Sequence, residues 1–286
     1  KLEHNPFTFL HIINPDYNDT IKQSGIPKFK MVKEKFQSFK KEGILIQDEE
    51  ESFYIYEQKN GGQTYSGIIA ATSVEDYLNG KIKKHEHTLT QKEEMFRSYL
   101  NTTGFNAEPV LLCYKENNSI NEIISHYQNL RSEYEFATTN KAVHKLWLVN
   151  DSNHIQQITA AFETIDNLYI ADGHHRCASS SLLSKDKKSD CSNYFMSFLI
   201  AENQLNIINF NRLIKQLNGL SAEDFTAKVS NKFTIKVIES STYQPSVKDE
   251  ISMYLSGKWY SLIAKNNSIN QDSVSKLDPA ILSDNI

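Results

Sequence analysis

The chain has 286 residues, of which 39% are hydrophobic and 23% charged, a composition typical of a globular protein. Its 31 basic and 35 acidic side chains leave a net charge of −4, which gives no electrostatic reason to expect nucleic acid as the main partner. No stretch approaches the roughly 18 consecutive apolar residues of a membrane-spanning helix, and three cysteines without CxxC spacing fit a reducing compartment. We therefore expect a soluble, cytoplasmic protein without a membrane partner.

The first quarter of the chain contains three patterned segments. An apolar stretch between prolines, residues 5–15, favours a strand or an extended arm. Apolar side chains then recur at helical spacing within residues 27–43, which predicts an amphipathic helix that ends at a glycine. A β-hairpin is expected next, because the β-type runs 53–58 and 63–71 flank Asn60-Gly61-Gly62.

Helices and strands alternate along the rest of the chain. Ser73 opens a short helix that ends at Gly80, while Thr90-x-x-Glu93 and Ser119-x-x-Glu122 have the form of capping boxes. The further helices expected are residues 90–102, 119–131, 151–165, 177–183, 221–232 and 245–256. The strands expected are residues 109–114, 143–149, 168–171, 194–201, 233–238 and 259–264.

This order of elements predicts the fold class and the domain organisation. A mixture of helices and strands with at least one hairpin favours a mixed sheet, of α+β or α/β type, over a purely parallel one. No repeat or low-complexity linker divides the chain, so residues 1–286 are expected to form one large domain or two intimately packed subdomains. The weakest point for a seam lies within residues 104–140.

The strongest polar cluster is Asp172-Gly173-His174-His175-Arg176, at the point where an apolar strand ends and a helix begins. A guanidinium presents a planar fork of donors to phosphate oxygens, a glycine allows close approach of the backbone, and the first N–H groups of a helix are free to donate. Asp172 could hold Mg²⁺ or a ligand hydroxyl. The pattern therefore indicates phosphate binding, although it is neither a Walker A motif nor GxGxxG.

Two other interpretations of this cluster stay open. His174 and His175 could be metal ligands together with Asp172, although adjacent residues rarely point towards one site. Alternatively, Asp-Gly is an ordinary turn in which Arg176 pairs with an acid. Cys177, just beyond, is expected to be a small packed residue rather than a stabilised thiolate.

The second polar cluster is Lys84-His85-Glu86-His87-Thr88, just before a predicted helix. On a strand His85 and His87 would share one face and could bind metal with help from elsewhere, since Glu86 would take the other face. Glu86 could independently act as a general base that accepts the proton of a substrate hydroxyl in phosphoryl transfer. The alternative is a solvated loop.

Together these motifs resemble those of a bacterial family, DUF1015 (domain of unknown function 1015). The resemblance spans most of the chain, in the order Asn5-Pro6-Phe7-Thr8-Phe9-Leu10-His11, Tyr54-Ile55-Tyr56, Tyr65-Ser66-Gly67-Ile68, Ile82-Lys83-Lys84-His85-Glu86-x-Thr88 with Lys92-Glu93-Glu94, Asn106-Ala107-Glu108-Pro109 and Leu168 to Arg176. The family pattern has Asp-Arg after Lys-Glu-Glu, where this chain has Met95-Phe96-Arg97. It also extends beyond both ends of this sequence, so we expect a fragment of a longer chain.

The cluster at residues 172–176 is similar to the phosphate-contacting turn of ParB/sulfiredoxin-like proteins, a group that includes free-serine kinases. The resemblance implies that Gly173 to Arg176 cradle the phosphates of ATP or ADP and that Asp172 lies near Mg²⁺ or the acceptor hydroxyl. It also implies that a separate glutamate is the catalytic base, and Glu86, with His85 beside it, is the candidate because of its place in the other shared motif. The function expected on this basis is a nucleotide- and Mg²⁺-dependent phosphotransferase acting on a small hydroxyl metabolite, with free L-serine as the first substrate to test.

Two alternatives to a kinase remain. A ParB-like protein could bind a nucleotide in a regulatory role without catalysis. A metal-dependent hydrolase would instead use histidines from both clusters, namely His85, His87, His174 and His175. The sequence specifies neither the metal ligands nor the oligomeric state.

Overall fold

The computed structural model describes residues 5–187, 189–206, 211–247, 249–265 and 275–286. The chain divides into two compact units, Lys1–Asn206 and Ile207–Ile286. Residues 104–140, which the sequence left as the weakest point for a seam, lie inside the first unit. None of the helices in the described ranges has the length and apolar character needed to cross a bilayer.

The first unit is a mixed α+β structure, as predicted. Its helices are α1 (Leu10–Ile13), α2 (Gly25–Lys41), α3 (Val74–Leu78), α4 (Thr90–Thr103), α5 (Asn118–Gln128), α6 (Ser152–Glu163) and α7 (His174–Asp186). Its strands are β1 (Phe53–Asn60), β2 (Gln63–Ser73), β3 (Ile82–Lys83), β4 (Val110–Tyr114), β5 (Tyr134–Ala137), β6 (Val143–Val149), β7 (Leu168–Asp172) and β8 (Tyr194–Ala201).

The eight strands form one sheet in the order β3-β7-β4-β8-β2-β1-β6-β5. The pairs β3–β7 and β4–β8 are parallel, and the other neighbours are antiparallel. The β1–β2 hairpin confirms its sequence signature, since Asn60 pairs with Gln63 and both intervening glycines have positive φ. The predicted mixed sheet is therefore confirmed, including its hairpin.

The main core lies on one face of this sheet. Ile55, Ile68 and Leu199 occupy paired positions on β1, β2 and β8, and all three are buried. Buried side chains of α3, α5, α6 and α7 belong to the same apolar cluster, so these helices cover that face. A smaller cluster around Ile12 and Val32 joins α1, α2 and α4.

The second unit contains α8 (Ala222–Val229), β9 (Phe233–Ile238), β10 (Glu250–Leu255), β11 (Lys258–Ala264) and α9 (Asp278–Asn285). Its strands form an antiparallel sheet in the order β10-β11-β9. Phe233, Leu262 and Ile281 are buried in its core. Glu250 is only 8% exposed, and its carboxylate accepts hydrogen bonds from Tyr243, Ser261 and the backbone of Ser246.

Two predicted elements were wrong in type. Residues 5–15 contain the helix α1 rather than a strand, because Ile12 is buried against α2 and the N–H of His11 already bonds Thr8 O within a turn. Residues 245–256 contain β10 rather than a helix. Leu255 pairs with Lys258 across Ser256-Gly257, both with positive φ, so a two-residue turn joins β10 to β11.

The helix starts also differ from prediction. Neither proposed capping box forms. Leu89 is the N-cap of α4, and the side chain of Asn117 caps α5 by accepting from the N–H groups of Ser119 and Ile120. Helix α7 begins at His174 rather than at Cys177, which places the histidine pair and Arg176 in its first turn.

Candidate functional site

The two polar clusters meet at one edge of the large sheet. Strands β3 and β7 are parallel neighbours, so the residues that follow them, 84–88 and 173–176, emerge on the same side. Strand β4 runs antiparallel to β7, with Leu111 opposite Asp172, and this pairing brings residues 108–110 to the same place. We call these three segments, residues 84–88, 108–110 and 172–176, the polar edge.

The start of α7 lies at the centre of the polar edge. Gly173 is its N-cap, in a left-handed conformation with φ 100° and ψ 29°. The first N–H groups of a helix have no acceptor within that helix, and the helix dipole makes this end partly positive. The polar edge thus has a site at which an anion would be stabilised.

The lack of a side chain at Gly173 matters as well as its left-handed conformation. A Cβ atom at this position would lie 3.2 Å from Cζ of Arg176 and 3.4 Å from the Cα of Val110. The absence of a side chain therefore lets the guanidinium of Arg176 pack directly against the turn. The close approach that the sequence suggested for a phosphate is made in this structure by an arginine of the same chain.

Arg176 is held by one backbone oxygen and two carboxylates. Its Nη1 donates to the backbone oxygen of Pro109, and its Nη2 lies 2.5 Å from Oδ2 of Asp172 and 3.5 Å from Oε2 of Glu108. Its side chain is 22% exposed, whereas the two carboxylates are largely exposed. The guanidinium thus links the start of β4 to the β7–α7 corner, and a phosphate would reach it by replacing a carboxylate.

His174 connects α7 with the second cluster. Its side chain is buried, its Nε2 accepts from the backbone N–H of His85 at 3.4 Å, and its Nδ1 lies 3.6 Å from Oε2 of Glu86. Burial, reinforced by the nearby His85, lowers the pKa of His174 to about 4, so the ring is neutral at pH 7. The hydrogen bond to Nε2 places the remaining ring proton on Nδ1, facing the carboxylate of Glu86.

His175 makes a contact of the same kind. Its Nε2 accepts from the backbone N–H of Leu89 at 3.2 Å. The rings of His85 and His174 also pack edge to face, with centroids 4.3 Å apart. Both histidines of α7 are therefore bound to the backbone of the segment that carries Glu86.

The structure brings predicted site residues together in two pairs. Glu86 faces His174, while Asp172 faces Arg176. Within the described ranges, no group of three or more histidine, cysteine, aspartate or glutamate side chains is arranged to hold a metal ion. Cys177 is fully buried, and burial raises its pKa to about 12, as expected of a packed thiol.

Glu108 and Pro109 were not predicted as site residues, although both bind Arg176. Their segment was among those that resemble the family, but no chemistry in the sequence marked it. Glu108 precedes a strand that pairs with the strand before Arg176, and this pairing is what brings it to the site. Long-range pairing of this kind is not visible in a local sequence pattern.

A separate cleft of about 550 Å³ lies between α5 and α6, lined in part by Glu122, His126, His154 and Gln157. It shares no residue with the polar edge. The Nδ1 of His154 lies 3.2 Å from the hydroxyl of Tyr127. Charged groups from three segments converge at the polar edge, which makes it the stronger candidate site.

Comparison with known proteins identifies the family. The chain belongs to the family described as protein of unknown function (DUF1015), whose model matches residues 1–280. No curated protein and no solved structure matches the chain.

Proposed function

We propose that this member of the DUF1015 family is a nucleotide- and Mg²⁺-dependent phosphotransferase that acts on a small hydroxyl metabolite. Free L-serine is the first substrate to test, on the resemblance of residues 172–176 to the turn of ParB/sulfiredoxin-like proteins. The observation that carries the proposal is the 3.6 Å approach of Glu86 to His174. It puts an exposed carboxylate beside the first turn of a helix, and these are the two groups that phosphoryl transfer to a hydroxyl requires.

The phosphate groups of ATP or ADP would bind at the start of α7. The N–H groups of His174, His175 and Arg176 belong to the first turn, whose amides lack acceptors within the helix. Gly173 leaves this turn without a Cβ atom. Arg176 joins the phosphate site by exchanging Asp172 or Glu108 for a phosphate oxygen.

Glu86 would act as the general base. Its side chain is 58% exposed, so it can reach a substrate from the solvent side of the edge while His174 orients it from the protein side. The carboxylate accepts the proton of the acceptor hydroxyl as that oxygen bonds to the terminal phosphorus, and the bond from phosphorus to the departing nucleotide breaks. His85, adjacent to it, lines the same approach.

Mg²⁺ bound with the nucleotide would neutralise phosphate charge. The carboxylates that fit such a cation are Asp172 and Glu108, which are 70% and 74% exposed. In the structure Arg176 pairs with both of them. The chain itself therefore supplies the oxygen ligands and the counter-charge that keeps them close together.

The test combines calorimetry with product detection. Titration of the protein with ATP and with ADP, each with Mg²⁺, should release or absorb heat, and incubation with L-serine should yield phosphoserine by mass spectrometry. We expect Glu86→Gln to lower turnover by about 10²–10⁴-fold with nucleotide binding retained, and Arg176→Ala to weaken nucleotide binding.

Arg97→Ala is the matched control, because Arg97 also contacts two carboxylates, Glu94 at 2.7 Å and Asp186 at 2.5 Å, with the latter at the opposite end of α7. It should behave as the wild type. Absence of heat with both nucleotides would reject the whole class of function. Nucleotide binding without turnover of serine or other hydroxyl compounds would favour the regulatory, ParB-like alternative.

A further inference from the structure

We infer that His174 and His175 are positioning residues, which hold the segment 85–89 against the start of α7 and thereby fix the place of Glu86. The anchoring itself is independent of the proposed function. Its consequence for catalysis rests on the proposed role of Glu86.

The anchoring rests on two hydrogen bonds of the same kind. In each, a ring Nε2 accepts from a backbone N–H, of His85 for His174 and of Leu89 for His175. The two donors are four residues apart, so the bonds bracket the segment at both ends. Glu86 lies between them.

Apart from its contacts with the two histidines, the segment is joined to α4, where the backbone N–H groups of Lys92 and Glu93 donate to the oxygen of Leu89. The side chains of His85, Glu86, His87 and Leu89 are all exposed, and Leu89 is 60% exposed despite being apolar. At its margins Lys84 lies over the ring of Tyr77, and the hydroxyl of Thr88 donates to Glu93. Since exposed loops without apolar anchors open readily, hydrogen bonds to its backbone decide how well the segment is ordered.

The geometry also accounts for two adjacent histidines at this position. Consecutive side chains on a helix point in directions about 100° apart, so they are poorly placed to share one metal ion. They are well placed to accept hydrogen bonds from two points of a loop that passes the helix start. The structure assigns this role to the pair through the separate contacts of their Nε2 atoms.

A neutral ring is needed for each contact, because a protonated imidazole has no acceptor. Burial favours the neutral form of His174, in which Nε2 is an acceptor and Nδ1–H faces Glu86. The same ring therefore orders the backbone at His85 and orients the carboxylate next to it. Loss of the ring would release both.

The anchoring can be tested on the full chain without ligand by amide hydrogen exchange resolved at single residues by NMR. His175 is partly exposed, so His175→Ala should leave the fold intact. We expect the amide of Leu89 to exchange at least about tenfold faster in this variant, and His175→Gln, whose side-chain oxygen can accept, to restore part of the protection. His87→Ala, in the same segment, is the control and should change nothing at Leu89.

Unchanged exchange at Leu89 in His175→Ala would overturn the anchoring. Kinetics then test its consequence: His175→Ala should lower kcat with the KM for nucleotide unchanged, and His175→Gln should restore kcat. A higher KM with kcat retained would show that His175 binds the nucleotide directly, and would overturn the positioning role. Faster exchange in the variant, combined with no turnover by the wild type, would reject the proposed function and leave the anchoring in place.

Discussion

Replacing Gly173 with alanine should destabilise the first unit more than the same replacement at Gly104. Both glycines have positive φ, 100° and 77°, so each alanine would incur about 1–2 kcal/mol of backbone strain. Around Gly104 no described residue other than its chain neighbours has a heavy atom within 4 Å of the added Cβ, whereas at Gly173 the Cβ would lie 3.2 Å from Cζ and 3.3 Å from Nε of Arg176. The guanidinium would have to move away from Pro109 and Asp172.

Charge-assisted hydrogen bonds contribute about 1.5–3 kcal/mol when well shielded. The exposure of Asp172 reduces that figure, and we expect about 1–2 kcal/mol for the displaced arginine. The total is then about 2–4 kcal/mol at Gly173 against about 1–2 at Gly104.

The assay is urea unfolding at pH 7, followed by the fluorescence of Trp147, which is buried in the first unit. Trp259 lies in the second unit, so the measurement is made in a Trp259→Phe background. In chains that also carry Arg176→Ala, the cost of Gly173→Ala should fall to that of Gly104→Ala, because the clash partner is gone. Equal costs at the two glycines, or a cost at Gly173 that does not depend on Arg176, would refute the packing argument.

Two further perturbations follow from the structure. Because the pKa of His174 falls from 6.5 in the unfolded chain to about 4 in the folded one, its contribution to the free energy of unfolding is complete above pH 6.5, and about 3 kcal/mol is lost as the pH falls towards 4. Urea unfolding between pH 7 and pH 4.5 should therefore show a smaller loss of unfolding free energy for His174→Gln than for wild type or His87→Gln. Equal losses in all three proteins would contradict the lowered pKa of His174. Tyr114→Phe should leave the unfolding free energy unchanged or raise it by up to about 1 kcal/mol, since the hydroxyl of Tyr114 is buried without a hydrogen-bond partner in the described ranges. Tyr127→Phe is the comparison, because it removes a hydroxyl that contacts His154, and it should lower the unfolding free energy by about 0.5–1.5 kcal/mol in the same assay.

Local chemistry explains which parts of the fold were predictable. The β1–β2 hairpin and α2 carry their own signals, a Gly-Gly turn between β-type runs and an apolar stripe that ends at a glycine. Residues 245–256 were expected to form a helix, whereas Ser256 and Gly257, both with positive φ, form the turn that follows β10. The residues of β10 form a strand because they pair with β11, and that partner strand lies beyond the turn, outside the local pattern.

The candidate site shows the same division. The residues of both polar clusters could be named from the sequence, because acid, glycine, histidine and arginine side chains stand out after an apolar strand. Their partners could not be named. The contacts of Arg176 depend on β4 lying beside β7, and those of His174 depend on β3 lying on the other side.

These neighbours give the polar edge a charge balance that bears on the proposed chemistry. Glu86, Glu108 and Asp172 bring three carboxylates to the edge, while His174 is neutral and Arg176 is already engaged. The dipole of α7 amounts to about half a positive charge, so the chain alone offers little net attraction to a polyphosphate. A divalent cation would bind the carboxylates and free Arg176 to meet the phosphate, and for this reason the local charge favours Mg²⁺-dependent binding over binding of the bare nucleotide.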